Sequence, residues 1–226
     1  MFTGLIEEMG TVRSIRKEGG GVRLEIAAAV VTEKAQIGDS IAVNGVCLTV
    51  TALGNGSFCA DVMNETVSHS TLADLRTGDA VNLEKSLTLQ TPLGGHLVLG
   101  DVEAVGTILS VKEDGFARRI TVAVPAELSR YIVKKGRITV DGASLTVTDE
   151  EPGRFSVSLI PHTLEAVRLG RQKPGDRVNV ETDILAKYTE KLLTFSDGGG
   201  LGYRPEQERA AGSVSEDLLK ENGFWS

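Results

Sequence analysis

The sequence predicts an all-β chain: two tandem homologous antiparallel barrels of about six strands each, followed by a C-terminal α-helix. Three observations carry that expectation. The first is an internal repeat. Asn44-Gly45-Val46-Cys47-Leu48-Thr49-Val50 recurs as Asp141-Gly142-Ala143-Ser144-Leu145-Thr146-Val147, and Gly78-Asp79-Ala80-Val81-Asn82-Leu83-Glu84 as Gly175-Asp176-Arg177-Val178-Asn179-Val180-Glu181, both at an offset of 97. Met63-Asn64-Glu65-Thr66 pairs with Ile160-Pro161-His162-Thr163 at the same offset, and Gly4, Ile6, Glu7, Gly10 and Thr11 match Gly100, Val102, Glu103, Gly106 and Thr107 at 96. A unit that long is a domain with its own core, not a solenoid repeat. The second observation is short alternating apolar runs, and the third is an Asx-Gly pair at the same place in each copy, a two-residue hairpin signal.

In order along the chain, the first copy spans residues 1–90 and the second 97–187, with the boundary near Leu93-Gly94-Gly95-His96. Within the first copy, strands are expected at 11–15, 22–26, 40–43, 47–50, 58–63 and 80–84, separated by turns at Gly19-Gly20-Gly21, Asn44-Gly45 and Gly54-Asn55-Gly56. Short helices are expected at 29–36, 70–75, 125–132 and 166–170. Closing each copy into a barrel removes its exposed edges. After the second copy, Leu185, Tyr188, Leu192 and Phe195 repeat at helical spacing, predicting an oligomerisation helix over 183–195, capped by Thr182 with Asp183 complementing the dipole. Its apolar stripe can pack on its own barrel or on another subunit. Residues 196–226 read as a flexible linker through Gly202, then a tail with a short helix opened by Ser213-Val214-Ser215-Glu216.

Composition narrows the function. The chain has 24 Lys+Arg against 31 Asp+Glu, a net charge of −7, and no copy is basic. A nucleic-acid partner needs a basic footprint, so none is expected. No apolar run reaches membrane-spanning length, and the N-terminus lacks the basic region of a signal peptide. The chain therefore reads as a cytoplasmic protein. Two cysteines and three scattered histidines offer neither a zinc site nor a disulfide framework. Gly198-Gly199-Gly200-Leu201-Gly202 follows a helix and lacks a succeeding Lys-Ser/Thr, so it is a linker and not a phosphate loop.

Cys47, alone on an apolar strand, reads as a small core residue. Its repeat partner, however, is Ser144, and each is followed by Leu-Thr-Val. Two nucleophile-type residues at equivalent positions point to paired polar sites that bind two copies of one ligand. His96 reads as an interdomain loop histidine and Lys135 as a surface lysine. Spacing alone assembles no catalytic triad.

Met1-Phe2-Thr3-Gly4-Leu5-Ile6-Glu7, Val43 to Val50, Gly94-Gly95-His96-Leu97-Val98-Leu99-Gly100, Lys135-Gly136, Asp141 to Val147 and Leu159-Ile160-Pro161-His162-Thr163-Leu164 together resemble the riboflavin synthase alpha-chain family, in order from residue 1 to about 193. The resemblance implies two Greek-key lumazine-binding barrels and a homotrimer held by the C-terminal helix. It places the active site between the first barrel of one subunit and the second of a neighbour. It also implies an enzyme without cofactor or metal that dismutates two 6,7-dimethyl-8-ribityllumazines into riboflavin and 5-amino-6-ribitylaminouracil. The resemblance also brings in lumazine synthase as a partner.

By position, the resemblance assigns Gly4, Leu5, Ile6, Cys47, Leu48, Thr49, Asp61, Val62, Met63, Asn64, Glu65 and Thr66 to the first-barrel site, closed by Gly100, Asp101 and Val102. It assigns Lys135, Ser144, Leu145, Thr146, Ser158, Leu159, Ile160, Pro161, His162 and Thr163 to the second. Cys47, Ser144, Ser40 and His96 become candidates for nucleophile or proton transfer, and Asp141, Lys135 and Asp183 candidate electrostatic partners. Two departures stand out. Asp101 occupies a family histidine position, replacing a group that can donate with one that only accepts. Val167-Arg168 replaces a Thr-Thr pair, removing two hydroxyls expected near the second site. A non-catalytic lumazine or flavin carrier of the same fold is the alternative, and a ligand-free structural oligomer is a third.

Overall fold

The structure is a computed structural model that describes residues 1–197. β1 (Glu8–Glu18), β2 (Gly21–Ala27), β3 (Ser40–Val43), β4 (Val46–Gly54), β5 (Ser57–Met63) and β6 (Ala80–Lys85) close in the order β1-β2-β5-β4-β3-β6. β7 (Ala104–Asp114), β8 (Ala117–Ala123), β9 (Arg137–Val140), β10 (Ala143–Glu151), β11 (Arg154–Leu159) and β12 (Arg177–Thr182) close a second barrel in the equivalent order. Every pairing is antiparallel, and residues 1–186 form one compact unit containing both barrels.

The alternation seen in the sequence is the in-out pattern of the barrel walls. Val12, Leu24, Ile26, Ile41, Val43, Val50, Phe58 and Leu83 fill the first interior; Ile108, Ile120, Val122, Ile138, Val140, Val147, Phe155 and Val180 fill the second. Bulges interrupt the register at equivalent places, between Val12 and Ser14 and between Ile108 and Ser110, with a matching pair in β4 and β10. A bulge adds local twist, which six strands need in order to close.

Asn44-Gly45 and Asp141-Gly142 adopt positive φ at both positions, as a type I′ hairpin demands (47° and 80°; 45° and 81°). The two tips meet back to back: a Cβ on Gly45 would sit 2.7 Å from the Gly142 nitrogen. The dipeptide therefore serves both the turn and the contact between barrels.

The helical content differs from the sequence expectation. No helix forms over residues 29–36: residues 30–34 are turns, and the Glu8 carboxylate accepts the Ala29 and Val31 N–H groups (3.0 and 2.8 Å). The other three expected helices correspond to 3-10 turns at Thr71–Asp74, Ala126–Tyr131 and Arg168–Arg171. Two helices unmarked by any periodicity, α1 (Asn64–Ser68) and α2 (Pro161–Ala166), follow β5 and β11.

α3 spans Ile184–Asp197. Its N-terminal cap is Asp183, whose carboxylate accepts the Leu185 N–H at 3.0 Å. Thr182 does not cap it: as the last residue of β12 it is buried, and its hydroxyl donates to Glu103 (2.9 Å). Leu185, Tyr188 and Leu192 are exposed by 59, 62 and 71%. Helix continues through Ser196 and Asp197, where the sequence suggested linker. The glycine-rich run from Gly198 and the tail helix opened by Ser213 lie outside the described residues.

Candidate functional site

A symmetric set of buried asparagines joins the barrels. Asn82 and Asn179 occupy equivalent positions on β6 and β12. The Asn82 N–H donates to the Asn44 side chain (2.8 Å), and the Asn179 N–H donates to the Asp141 carboxylate (2.8 Å). Each amide then crosses over: Asn82 Nδ2 donates to the Asp141 carbonyl and Asn179 Nδ2 to the Asn44 carbonyl, both at 2.8 Å. Their Oδ1 atoms accept the N–H groups of Arg168 and Thr71 (both 2.7 Å). The halves differ at one place. Asp141, fully buried, accepts Arg168 Nη1 at 2.7 Å; the repeat equivalents are Asn44 and Thr71, whose Nδ2 and Oγ1 have no hydrogen-bond partner among the described residues.

Two straps cross between the barrels. Phe2 pairs with Val98 in a short antiparallel bridge. Beyond it, the Ser144 N–H of the second barrel donates to the Gly4 carbonyl (2.8 Å), and the Cys47 N–H of the first barrel donates to the Gly100 carbonyl (3.0 Å). Gly4 and Gly100 have φ of 76° and 86°, and a Cβ on either would lie 2.5 Å from Ser144 Cβ or 2.7 Å from Cys47 Cβ. Glycine is required at both by conformation and by contact. Each strap is gripped by a buried carboxylate. Glu84 Oε1 and Oε2 accept the Thr3 and Gly4 N–H groups (2.7 and 3.0 Å), and Glu181 does the same for Leu99 and Gly100 (2.7 and 3.0 Å). Burial pushes both carboxyls up, Glu181 to about 7, with the nearby Glu103 and Asp101 charges adding to the rise.

Each strap forms the lip of a cleft. On the second barrel a cleft of about 420 Å³ is lined by Gly4, Leu5, Ile6, Arg137, Ala143, Ser144, Leu145, Thr146, Ser158, Leu159, Ile160, His162, Thr163, Ala166 and Val167. His96, 7% exposed, stands behind Ser144. Its Nδ1 lies 2.7 Å from Ser144 Oγ and its Nε2 3.2 Å from Thr139 Oγ1. Burial holds this imidazole below the ordinary histidine range; the Asp183 charge opposes that shift and Arg137 reinforces it. The ring is thus neutral near pH 7, one nitrogen donating and the other accepting. It can take a proton from the serine hydroxyl or return one.

On the first barrel a cleft of about 370 Å³ is lined by Val46, Cys47, Met63, Glu65, Thr66, His69, Ser70, Gly100, Asp101, Val102 and Glu103. Cys47 is half-buried beneath the Gly100 strap. His69 Nδ1 lies 2.8 Å from the Glu65 carbonyl, which can only accept, so Nδ1 is the donor in this contact.

The sequence-derived site residues divide accordingly. Cys47, Met63, Glu65, Thr66, Gly100, Asp101 and Val102 meet in the first cleft, and Ser144, Leu145, Thr146, Ser158, Leu159, Ile160, His162 and Thr163 in the second. Gly4, Leu5 and Ile6 were expected in the first cleft and instead form the lip of the second, because the straps cross. Leu48 and Val62 point into the first core. Asp61 is held by Arg23 (2.6 Å) on the outer face of β5. Asp141 sits in the inter-barrel seam and not in a cleft, while Asp183 lies close enough to His96 for its charge to act there. Lys135 is exposed on a turn with φ 68°, its N–H bonded to Val147. Ser40 and Thr49, which lie opposite each other on the β3–β4 ladder, and Asn64 and Pro161, which open α1 and α2, line neither cleft. Only one residue of the Val167-Arg168 departure faces a cleft: Val167 lines it, and Arg168 pairs with Asp141. Sequence reading missed Val46, His69, Ser70 and Glu103 in the first cleft and Arg137, Ala143 and Ala166 in the second. His69 and Ala166 are repeat equivalents at an offset of 97, which was the available signal.

Fold and clefts together define a duplicated barrel protein with two related but non-identical clefts. The lumazine binding domain model matches it twice, over residues 3–86 and 99–183. Riboflavin synthase of Actinobacillus pleuropneumoniae is 40% identical over 99% of this chain and 100% of its own. Riboflavin synthase of Mycobacterium tuberculosis is 48% identical over 85% of this chain and 98% of its own. The structure of LumP complexed with riboflavin superposes with a TM-score of 0.74 at 25% identity, covering 80% of this chain and 99% of LumP. The chain belongs to the lumazine binding domain family and, within it, to the riboflavin synthases.

Proposed function

We propose that this protein converts two molecules of 6,7-dimethyl-8-ribityllumazine into riboflavin and 5-amino-6-ribitylaminouracil by moving a four-carbon unit from one to the other. The two substrates contain every atom of the two products, so the overall reaction calls for no oxidant or reductant. The observation that carries the reading is the neutral His96–Ser144 pair at 2.7 Å in one of two clefts that repeat each other.

In this reading each barrel binds one ligand. Thr146 and Thr163 in the second cleft and Thr66 and Glu65 in the first bond ring or ribityl groups. The 7-methyl protons are acidic because the heterocycle delocalises the carbanion. His96 and Ser144 pass protons at one ring while the Cys47 side serves the other. Holding the two rings in opposed orientation supplies much of the rate. The active assembly is a cytoplasmic homotrimer, with the first cleft of one subunit facing the second of its neighbour; the exposed Leu185, Tyr188 and Leu192 on α3 support such an association. Among the described residues no helix is long and apolar enough to cross a membrane. Docking to lumazine synthase is part of the same proposal.

A binder without turnover is the second reading, favoured by the likeness to LumP, whose structures hold riboflavin and 6,7-dimethyl-8-ribityllumazine. Incubation with the lumazine alone separates the two. One riboflavin per two lumazines consumed supports the synthase; binding without riboflavin supports the binder.

A further inference from the structure

We propose that Glu84 and Glu181 are positioning residues acting crosswise: each shapes the ligand cleft of the barrel to which it does not belong. Glu181 stands on β12 of the second barrel, yet the strap it grips, Leu99–Gly100, delivers Gly100, Asp101 and Val102 to the first cleft. Glu84 stands on β6 of the first barrel, yet it grips Thr3–Gly4 and delivers Gly4, Leu5 and Ile6 to the second. The inference rests on the two-cleft reading above for what the clefts bind, but not for the geometry.

Three features support a positioning role. A buried carboxylate is costly, and an apolar side chain of similar volume often serves stability as well. Both are only 3–4% exposed, and among the described residues neither pairs with a cation; their oxygens are taken up by backbone N–H groups of the straps, with Thr3 Oγ1 adding a third bond to Glu84. A carboxylate presents two acceptors side by side, which fixes two successive N–H groups in one orientation. What that orientation fixes is the Gly100 carbonyl on the Cys47 N–H and the Gly4 carbonyl on the Ser144 N–H. The grip on one strap therefore sets the environment of the reactive side chain across the barrel boundary.

The test compares Glu181→Gln and Glu84→Gln, since glutamine keeps the shape but offers one acceptor and turns an amide toward the second N–H. Amide hydrogen exchange, read without ligand, is expected to quicken at least tenfold in residues 99–102 of the first variant only and in residues 3–6 of the second only. Protection of Cys47 from iodoacetamide by riboflavin reports the first cleft directly. The protecting concentration is expected to rise at least tenfold in Glu181→Gln and to stay within twofold of wild type in Glu84→Gln. Uniformly quickened exchange in both variants, or unchanged Cys47 protection in Glu181→Gln, overturns the inference. If a glutamine variant fails to fold, Glu181→Asp, which keeps the charge but withdraws it by one methylene, is expected to show the same selective exchange. Wild-type protein that fails to bind riboflavin while the exchange pattern holds would sink the two-cleft reading and leave the crosswise grip standing.

Discussion

The two barrels share a frame and differ in their chemistry. Glu84 and Glu181, Asn82 and Asn179, Gly4 and Gly100, and Gly45 and Gly142 occupy equivalent places and make equivalent bonds. Around that frame the equivalent positions differ: Cys47 corresponds to Ser144, Glu65 to His162, His69 to Ala166, and Asn44 with Thr71 to Asp141 with Arg168. The frame is duplicated because crossing straps and abutting turn tips make each half the support of the other; a change in one must suit both. The cleft side chains carry no such constraint and have become different tools. One cleft has a serine backed by a buried neutral imidazole, and the other a thiol beside an acidic lip.

The largest expected effect comes from the asymmetric part of the seam. Arg168→Ala leaves Asp141 buried without its cation and should cost about 3 kcal/mol in denaturant unfolding. The double change Asp141→Asn with Arg168→Thr copies the first half into the second and should recover most of that loss. Recovery of none of it would mean that the halves are not interchangeable at this point.

Glu181 offers a sharper contrast through pH. Its carboxyl is raised from 4.5 to about 7, so its stabilising contribution is complete below pH 4.5 and lost as pH rises through 7. Asp101 and Glu103 face it and push the same way. The shift corresponds to roughly 3 kcal/mol. Relative to wild type, Glu181→Gln should therefore gain stability steadily from pH 4.5 to 8. A difference between variant and wild type that stays flat across that range would place the effect elsewhere.

For catalysis, His96→Ala should lower turnover about a hundredfold, in the range of a lost proton-transfer group, with folding retained. The smallest effect is expected at Cys47→Ser, which makes the first cleft resemble the second in its nucleophile-type residue: turnover should fall about tenfold, below the loss at His96. A larger loss at Cys47 than at His96 would reverse the assignment of the two clefts.

Much of this was legible in the sequence, and for definite reasons. The offset of 97 and the in-out alternation announced two barrels, because wall residues must alternate and a duplicated core keeps its pattern. Asn44-Gly45 and Asp141-Gly142 announced their hairpins by the positive φ such turns demand. Short helices were less legible: α1 and α2 span five and six residues, too few for a periodic face. The pairing of straps with clefts was not legible at all. Nothing in Gly4-Leu5-Ile6 says which barrel it serves; that is decided by the Phe2–Val98 crossing and by carboxylates about 80 residues away in sequence. Asp141 was misplaced for a related reason, since a charge after a strand reads the same whether it meets a ligand or a distant arginine. His69 was visible but silent until its cleft was.

Ligand binding tests the central claim most directly, namely that one frame holds two unlike clefts. Titration of the protein with riboflavin, followed by calorimetry, should show two sites per chain with unequal affinity, and His96→Ala should perturb only one of them. A single site per chain, or two sites that stay identical and shift together in the variant, would contradict it.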